Sequence, residues 1–209
     1  MSLITIVMML VAGCRLFHFV ATGLVVGGAG AAALVTYLST AGDQASDLSF
    51  RFGRILNFMD PWQDATGLGW QTIQGLYAIG SGGLFGVGLG ESKQKYLYVS
   101  EPQNDFIFAI LAEELGFVGC LVVITLFALF IWRGIIIAMK SSDMFGSLLA
   151  TGITTLVMVQ AALNIAVVTN SMPNTGISLP FFSAGGTALI ILLAMCGILL
   201  NISRSKEKV

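Results

Sequence analysis

The sequence predicts an all-α polytopic membrane protein of about five transmembrane helices, with one long extracytoplasmic loop that carries short amphipathic helices. Composition is the first observation behind this prediction. Hydrophobic residues make up 56% of the 209 residues and charged residues only 10%, with a mean hydropathy of +0.89. Soluble domains usually contain about 25% charged residues. The second observation is that the apolar residues fall in separate runs along what we predict to be a single membrane domain, 1–209.

The apolar runs differ in whether they are long enough to cross a bilayer, which takes about 20 helical residues at 1.5 Å rise. They are Ser2–Cys14, Leu16–Leu38, Phe106–Trp132, Gly146–Thr169 and Thr187–Ile202. The second, third and fourth runs are long enough. The last run is long enough only if Ala184–Gly186 or Ser203 joins it. The first is too short. Because it lacks the charge and cleavage site of a signal peptide, we interpret it as a helix whose start is missing.

Basic residues in the short connecting segments predict the orientation of the chain. These residues are Arg15, Arg133, Lys140, Arg204, Lys206 and Lys208. Under the positive-inside rule the segments that hold them are cytoplasmic, and so is the C-terminus. The extracytoplasmic segments are then a large outer loop, 39–105, and a second outer loop, 170–186. Loops as long as the first escape the rule.

The large outer loop is rich in aromatic and aliphatic residues, which is unlike a disordered segment. Ser49–Phe58 places apolar residues on one helical face and Arg51 and Arg54 on another, which predicts a helix along the membrane surface. Gly69–Ile79 predicts a second short amphipathic helix. The Gly-rich stretch Gly80–Gly90 lacks the GK[ST] ending of a P-loop. It predicts tight turns where backbone approaches backbone, with a pyrophosphate cradle of bare amides as the alternative.

Carboxylates near the membrane boundary are the main candidates for chemistry. Asp105 stands where the polar loop meets the apolar run FIFAILA, and Glu101 lies four residues earlier. A helix N-cap or a first-turn acid is the alternative role for Asp105. Glu113 and Glu114 lie about two helical turns deeper. At that depth an ionisable side chain marks a functional site or pairs with Arg or Lys from another helix.

The other polar candidates have simpler explanations. Gln160 and Asn164 are spaced i, i+4 on one helical face, which favours hydrogen bonding between helices. Lys93 and Lys95 are suited to bind a phosphate or to stay solvated. The aspartates of the large loop have no metal-ligand spacing, so no metal site is predicted. No basic block suggests nucleic acid.

Three strings in the chain carry a family resemblance. The first, ILNFMDPWQDATGLGWQTIQGLYAIGSGGLFGVGLGESKQKYLYVSEPQNDFIFAILAEELGFVG, resembles the large outer loop and following helix of the SEDS family of cell-wall polymerases, which includes FtsW, RodA and SpoVE. NIAVVTNSMPNTGISLPFFSAGGTALI resembles the last outer loop and final helix, and GCRLFHFV fits the helix pair before the large loop. The chain resembles only the second half of a family member, starting after the expected PDLG motif.

Two departures from the family pattern fall in the second outer loop and the helix after it. The usual SYGG is here Ser183-Ala184-Gly185-Gly186, so the Tyr is absent. The following Thr-Ser or Ser-Ser is Thr187-Ala188. What that Tyr and Ser contribute in the family is therefore open for this chain.

The resemblance implies a peptidoglycan glycosyltransferase in the plasma membrane that polymerises lipid II for division, elongation or sporulation. Lipid II is a disaccharide-pentapeptide on undecaprenyl pyrophosphate. Asp105 matches the loop Asp to which the family's catalytic role is assigned. The substrate-binding candidates are Arg51, Arg54, Lys93, Lys95, Glu101 and Ser183. A divalent cation at the leaving group is compatible with this chemistry, and the implied partner is a class B penicillin-binding protein transpeptidase. We do not expect the 209-residue chain to polymerise lipid II alone.

Two other classes of function stay open, a lipid II flippase and a non-catalytic scaffold for a transpeptidase. A flippase needs a polar cavity across the bilayer and two access states. A polymerase needs its polar groups at the outer face, and only Glu113, Glu114, Gln160 and Asn164 lie deeper in this chain. The pattern therefore favours the polymerase. A scaffold predicts no loss of activity when Asp105 is changed.

Overall fold

The computed structural model describes residues 2–13, 16–39, 57–67, 69–94 and 104–204. In these residues it contains helices and no strand, as the predicted all-α class requires. The longer helices are α1 (Ser2–Val11), α2 (Leu16–Ser39), α3 (Trp70–Gly82), α4 (Ile107–Lys140), α5 (Met144–Val168) and α6 (Gly186–Arg204). A short 3-10 helix, Pro61–Asp64, precedes α3, and the side chain of Asp60 caps it by accepting a hydrogen bond from Trp62 N.

Among the described residues, three helices are long and apolar enough to cross a membrane, namely α4, α5 and α6. They correspond to the third, fourth and fifth apolar runs. α4 continues to Lys140, beyond the predicted end at Trp132, and α6 reaches 19 residues because Gly186, Ser203 and Arg204 join the predicted run. α1 has 10 residues and α2 has 24. The total of five spans stays a prediction.

The α4–α5 pair forms the centre of the fold. The two helices are joined only by residues 141–143, so they are antiparallel neighbours. Asp143 starts α5 by accepting a hydrogen bond from Gly146 N at 2.8 Å. Where the helices cross, a Cβ on Gly134 would lie 2.2 Å from Thr154 Oγ1, so only glycine allows this approach. The main core joins residues from α3 to α6: Ala78, Phe106, Phe108, Ala109, Leu111, Val123, Phe127, Val157, Ala161, Val168, Leu179 and Leu192.

Helix α4 is broken at Gly116, whose φ of 68° and ψ of −166° lie outside the helical range. A break inside an apolar helix frees backbone groups that lipid cannot satisfy. The Gly-rich stretch supplies their partners through four backbone hydrogen bonds. These are Val87 N to Glu113 O (3.0 Å), Gly88 N to Glu114 O (3.1 Å), Phe117 N to Gly83 O (2.9 Å) and Val118 N to Leu84 O (3.1 Å).

The predicted tight turns in the Gly-rich stretch are confirmed, and contact with α4 explains them. Gly86 has a φ of +78°, and a Cβ on it would lie 2.1 Å from Glu114 O. A Cβ on Gly82 would lie 2.0 Å from Ala112 O. The amides of Gly86, Val87 and Gly88 all donate to backbone carbonyls. Those three amides are therefore already used and do not form an open cradle for pyrophosphate.

A helix lies at the position of the second predicted loop helix, since Gly69–Ile79 corresponds to α3, Trp70–Gly82. Its buried face differs from that of a typical amphipathic helix because it is built largely from small and polar residues. The buried residues are Thr72, Ile73, Gln74, Gly75, Ala78 and Gly82. The small residues let α3 pack closely on α4. The first predicted loop helix, Ser49–Phe58, falls mostly outside the described residues.

Candidate functional site

Asp105 lies half-buried immediately before α4, at the end of the large outer loop. The N-cap position of α4 belongs to Phe106, and no side-chain hydrogen bond caps this helix. No acidic residue lies in the first helical turn. The alternative role of Asp105 as a helix cap or first-turn acid therefore finds no support in the geometry.

The backbone around Asp105 is fixed by side chains from distant parts of the chain. Asn164 Nδ2 in α5 donates to the carbonyl of Asp105 at 2.8 Å. Ser183 Oγ lies 2.9 Å from the carbonyl of Asn104 and 3.0 Å from that of Leu179, and it has one proton to donate. The next residue, Phe106, is 1% exposed. These contacts hold residues 104–106 in one place.

The second outer loop lies directly against the carboxylate of Asp105. Gly176 has a φ of +64°, and a Cβ built on it would lie 3.4 Å from Asp105 Oδ2. The same loop contacts α3, because Asn174 Nδ2 donates to Gln71 Oε1 at 3.2 Å. The two predicted outer loops therefore meet at Asp105.

Glu113 is 2% exposed and accepts three hydrogen bonds from the segment that follows the Gly-rich stretch. The donors are Ser92 Oγ at 2.5 Å, Lys93 N at 3.1 Å and Gln94 N at 3.4 Å. These partners are a hydroxyl and two amides, whereas the sequence suggested Arg or Lys from another helix. Glu113 therefore binds the large loop to α4. Glu114 is half-buried, and its carbonyl accepts from Gly88 N.

Gln160 lies one helical turn from Asn164 but belongs to a different environment. It lines a cavity of about 240 Å³ between α5, α6 and the second outer loop. Ser178 and Ser183 give this cavity further polar groups, and Ala188 also lines it. Its apolar walls are Leu156, Leu179, Pro180, Phe181, Leu189, Ile191, Leu192 and Met195. The two residues of the i, i+4 pair therefore have different surroundings. Asn164 binds the backbone at Asp105, and Gln160 faces the cavity.

The remaining predicted site residues are only partly placed by the structure. Lys93 has an exposed side chain, and its backbone amide is bound to Glu113. Four candidates lie outside the described residues, namely Arg51, Arg54, Lys95 and Glu101. In the part of the chain that the structure describes, no group of three or more His, Cys, Asp or Glu residues is placed to hold a metal ion.

Sequence reasoning missed three residues that shape this site: Gly75, Ser92 and Gly176. Gly75 lies against Phe106, Ser92 donates to Glu113, and Gly176 faces Asp105. For Gly176 the string Pro-Asn-Thr-Gly is a turn signal that could have identified it. Gly75 and Ser92 carried no such signal, because their roles depend on residues more than twenty positions away in the chain.

Together the fold and the site define a helical membrane protein in which the two predicted outer loops meet around a carboxylate at the head of an apolar helix. Comparison with known proteins then identifies the family. The family model described as "Cell cycle protein", which covers FtsW, RodA and SpoVE, matches residues 1–208. The chain belongs to this family and is a bacterial membrane protein.

Similar proteins come from several bacteria. The chain is 49% identical over 199 residues to stage V sporulation protein E of Bacillus subtilis, covering 95% of this chain and 51% of that protein. It is 45% identical over 203 residues to a probable peptidoglycan glycosyltransferase FtsW of Trichlorobacter lovleyi, covering 97% and 50%. The chain thus spans about half the length of the curated relatives it matches.

A solved structure supports the same fold. It is a chain from a study of how a peptidoglycan synthase complex coordinates polymerization and crosslinking. The TM-score is 0.66 at 28% identity, over 98% of this chain and 54% of that chain. The helical arrangement described above is therefore that of a known membrane fold.

Proposed function

We propose that the protein containing this chain is a peptidoglycan glycosyltransferase that polymerises lipid II, with Asp105 as its general base. The observation that carries the proposal is the position of Asp105. Its carboxylate lies where both outer loops meet, at the head of a membrane helix, and its backbone is fixed by Asn164. A lipid-linked substrate needs this geometry, because its sugars stay in water while its tail stays in the bilayer. The FtsW relatives named as probable peptidoglycan glycosyltransferases support the same chemistry.

In the proposed reaction, the 4-hydroxyl of one lipid II sugar attacks the anomeric carbon of the growing strand. Asp105 accepts the hydroxyl proton while the new oxygen–carbon bond forms. The bond between the anomeric carbon and the pyrophosphate oxygen breaks, and undecaprenyl pyrophosphate leaves with the bonding electrons. Inversion at the anomeric carbon needs only this single displacement, so no covalent enzyme intermediate is required. A divalent cation at the pyrophosphate is compatible with the step.

The candidates for substrate contacts follow from the same position. Lys93 is exposed beside the Gly-rich stretch, and we assign it to the pyrophosphate together with Arg51, Arg54 and Lys95. Glu101 precedes Asp105 by four residues and belongs to the same set of substrate contacts. Ser183 lines the cavity beside α6, and we assign its surroundings to the substrate.

The flippase is the second candidate, and the deep polar residues argue against it. Glu113 and Asn164 are 2% and 1% exposed, and both are hydrogen-bonded within the chain. A transport pathway needs polar groups that line a water-filled cavity. Glu113 and Asn164 instead fix loop segments to helices, while Gln160 faces the cavity between α5, α6 and the second outer loop.

A class B penicillin-binding protein is the proposed partner. The similar solved structure belongs to a synthase complex that both polymerises and crosslinks, which supports a transpeptidase partner here. The orientation with a cytoplasmic C-terminus is also part of the proposal, since it places Asp105 on the side where cell-wall strands are made.

The proposal is tested by synthesis of glycan strands from purified lipid II. The assay uses a full-length context, in which the N-terminal half that the relatives have precedes this chain. We expect polymer from the unmodified protein and little from Asp105→Asn. Translocation of lipid II without any polymer would favour the flippase and overturn the proposal.

A further inference from the structure

The side chain of Asn164 joins two backbone segments that are far apart in sequence. It is 1% exposed and lies near the C-terminal end of α5, the most buried of the three membrane-spanning candidates among the described residues. Its Nδ2 donates to the carbonyl of Asp105 at 2.8 Å, 59 residues away. The same nitrogen donates to the carbonyl of Ile177 at 2.7 Å. One amide therefore connects the end of the large outer loop to the second outer loop.

Both carbonyls lie outside helical segments, and Asn164 supplies a donor to each of them. The first hydrogen bonds of α4, from the amides of Ala109 and Ile110, go to the carbonyl of Phe106. The carbonyl of Asp105 therefore precedes the helix, and Ile177 lies in an irregular loop. A carbonyl shielded from water is unfavourable without a donor. Asn164 satisfies both groups at once.

The direction of the Asn164 amide is fixed by this arrangement. A primary amide has two N–H donors, and both are used. Turning the group around would place Oδ1 against two carbonyl oxygens. Within the described part of the chain, buried Oδ1 itself has no hydrogen-bond partner.

We propose that Asn164 is a positioning residue, which fixes the carboxylate of Asp105 relative to the second outer loop. The proposal rests on the proposed function of Asp105 as a general base. Ile177 follows Gly176, which faces Asp105 Oδ2. Asn164 therefore holds the backbone that carries the carboxylate and the backbone that faces it. It acts through Asp105 and does not contact the reacting atoms.

The first test replaces Asn164 with Asp in the full-length context. The shape is kept, but both donors are lost and a carboxylate faces two carbonyl oxygens. Displacing a base by about 1 Å costs about 10²-fold in rate. We expect kcat to fall by about this factor while KM for lipid II stays near its starting value. If Asn164→Asp lowers the yield of folded protein, Asn164→Ser keeps one hydroxyl donor and is expected to lose less.

The matched control is Thr154→Ala. Thr154 is also buried in α5, 3% exposed, and its hydroxyl donates to Ala150 O at 2.7 Å. It lies at the crossing with Gly134, away from both loops. The control loses a buried hydrogen bond of the same helix, so a general loss of stability would lower the activity of both variants. We expect kcat to fall only for the Asn164 variants.

A double-mutant cycle then separates positioning from any other role. If Asn164 acts through the carboxylate, Asp105→Asn combined with Asn164→Asp is no slower than Asp105→Asn alone. The proposal would be overturned if the losses in kcat of the two single variants multiplied in the double variant. It would also be overturned if Asn164→Asp left kcat unchanged while Asp105→Asn lowered it. In both cases the proposed function would stand. If Asp105→Asn stayed active, Asp105 would not be the general base, and the proposed positioning role of Asn164 would then also be excluded.

Discussion

At the scale of single residues, the site depends on glycines that permit close contacts as much as on polar groups. Phe106 follows Asp105 and is buried against Gly75 of α3. A Cβ on Gly75 would lie 2.9 Å from Cδ1 and Cε1 of that ring, so the ring has to move if the glycine is replaced. Gly75 therefore controls where the residue next to Asp105 can lie.

Replacing Gly75 with Ala is predicted to destabilise the protein. Ala for Gly within a helix usually stabilises by about 0.5–1 kcal/mol, but an overpacked core loses about 1–3 kcal/mol. The clash is the larger effect, so the melting temperature in detergent falls. Gly80→Ala is the matched control, since Gly80 lies in the same helix and its Cβ would meet nothing within 4 Å. An equal response from the two variants would contradict the packing account.

The residues of the site were predictable to different degrees. Asp105 was evident because a carboxylate at the boundary of a polar loop and an apolar run is unusual. The sequence indicates Asn164 as a hydrogen-bonding residue. Its partners are the carbonyls of Asp105 and Ile177, and because every residue has a carbonyl, the sequence does not indicate which ones accept. For the same reason the donors to Glu113 were not predictable, because two of the three are amides.

At the scale of elements, the Gly-rich stretch and the break in α4 form one unit. The break at Gly116 frees backbone groups, and the loop at residues 83–88 binds them. Glu113 adds a side-chain connection from the same turn of α4 to residues 92–94. The sequence predicted the turns from the glycines. It did not predict the break, because Gly116 lies inside the apolar run Phe106–Trp132 and a single glycine does not by itself end a predicted helix.

Replacing Glu113 with Gln is predicted to loosen this unit. Glu113 accepts from three donors through its two carboxylate oxygens. In Gln an NH₂ group replaces one of these oxygens, so its N–H would face an N–H or O–H donor there. Leaving such a buried donor unsatisfied costs about 1–3 kcal/mol. Thermal unfolding and protease sensitivity of the loop report the change. Exposed Glu91 provides the control, because Glu91→Gln should alter stability by less than about 0.5 kcal/mol. Unchanged stability for Glu113→Gln would refute a structural role for these bonds.

At the scale of the whole molecule, the apolar runs were sufficient to locate the helices. α4, α5 and α6 begin within a few residues of the predicted runs, because burying backbone groups in lipid enforces helix wherever apolar residues continue. The positions of α3 and the second outer loop depend on tertiary contacts such as Asn174 with Gln71, which periodicity does not encode. The orientation of the whole bundle follows from charge and stays a prediction.

Orientation can be measured by labelling single cysteines in intact cells. In a background without Cys14, Cys120 and Cys196, a cysteine at Gln103 should react with an impermeant thiol reagent from outside. A cysteine at Ser141, in the α4–α5 connection, should react only after the cells are opened. Equal labelling of the two positions in intact cells is the outcome that the positive-inside argument forbids.

The most direct measurement of the central claim compares strand synthesis and lipid II binding for Asp105→Asn in the full-length context. Asn keeps the shape of the side chain and removes the base. We predict that polymerisation falls by about 10²–10⁴-fold, the usual contribution of general-base catalysis, while folding and lipid II binding persist. A scaffold predicts full synthesis, and so does a helix cap, because Asn caps about as well as Asp. Near-normal strand synthesis by Asp105→Asn would contradict the account.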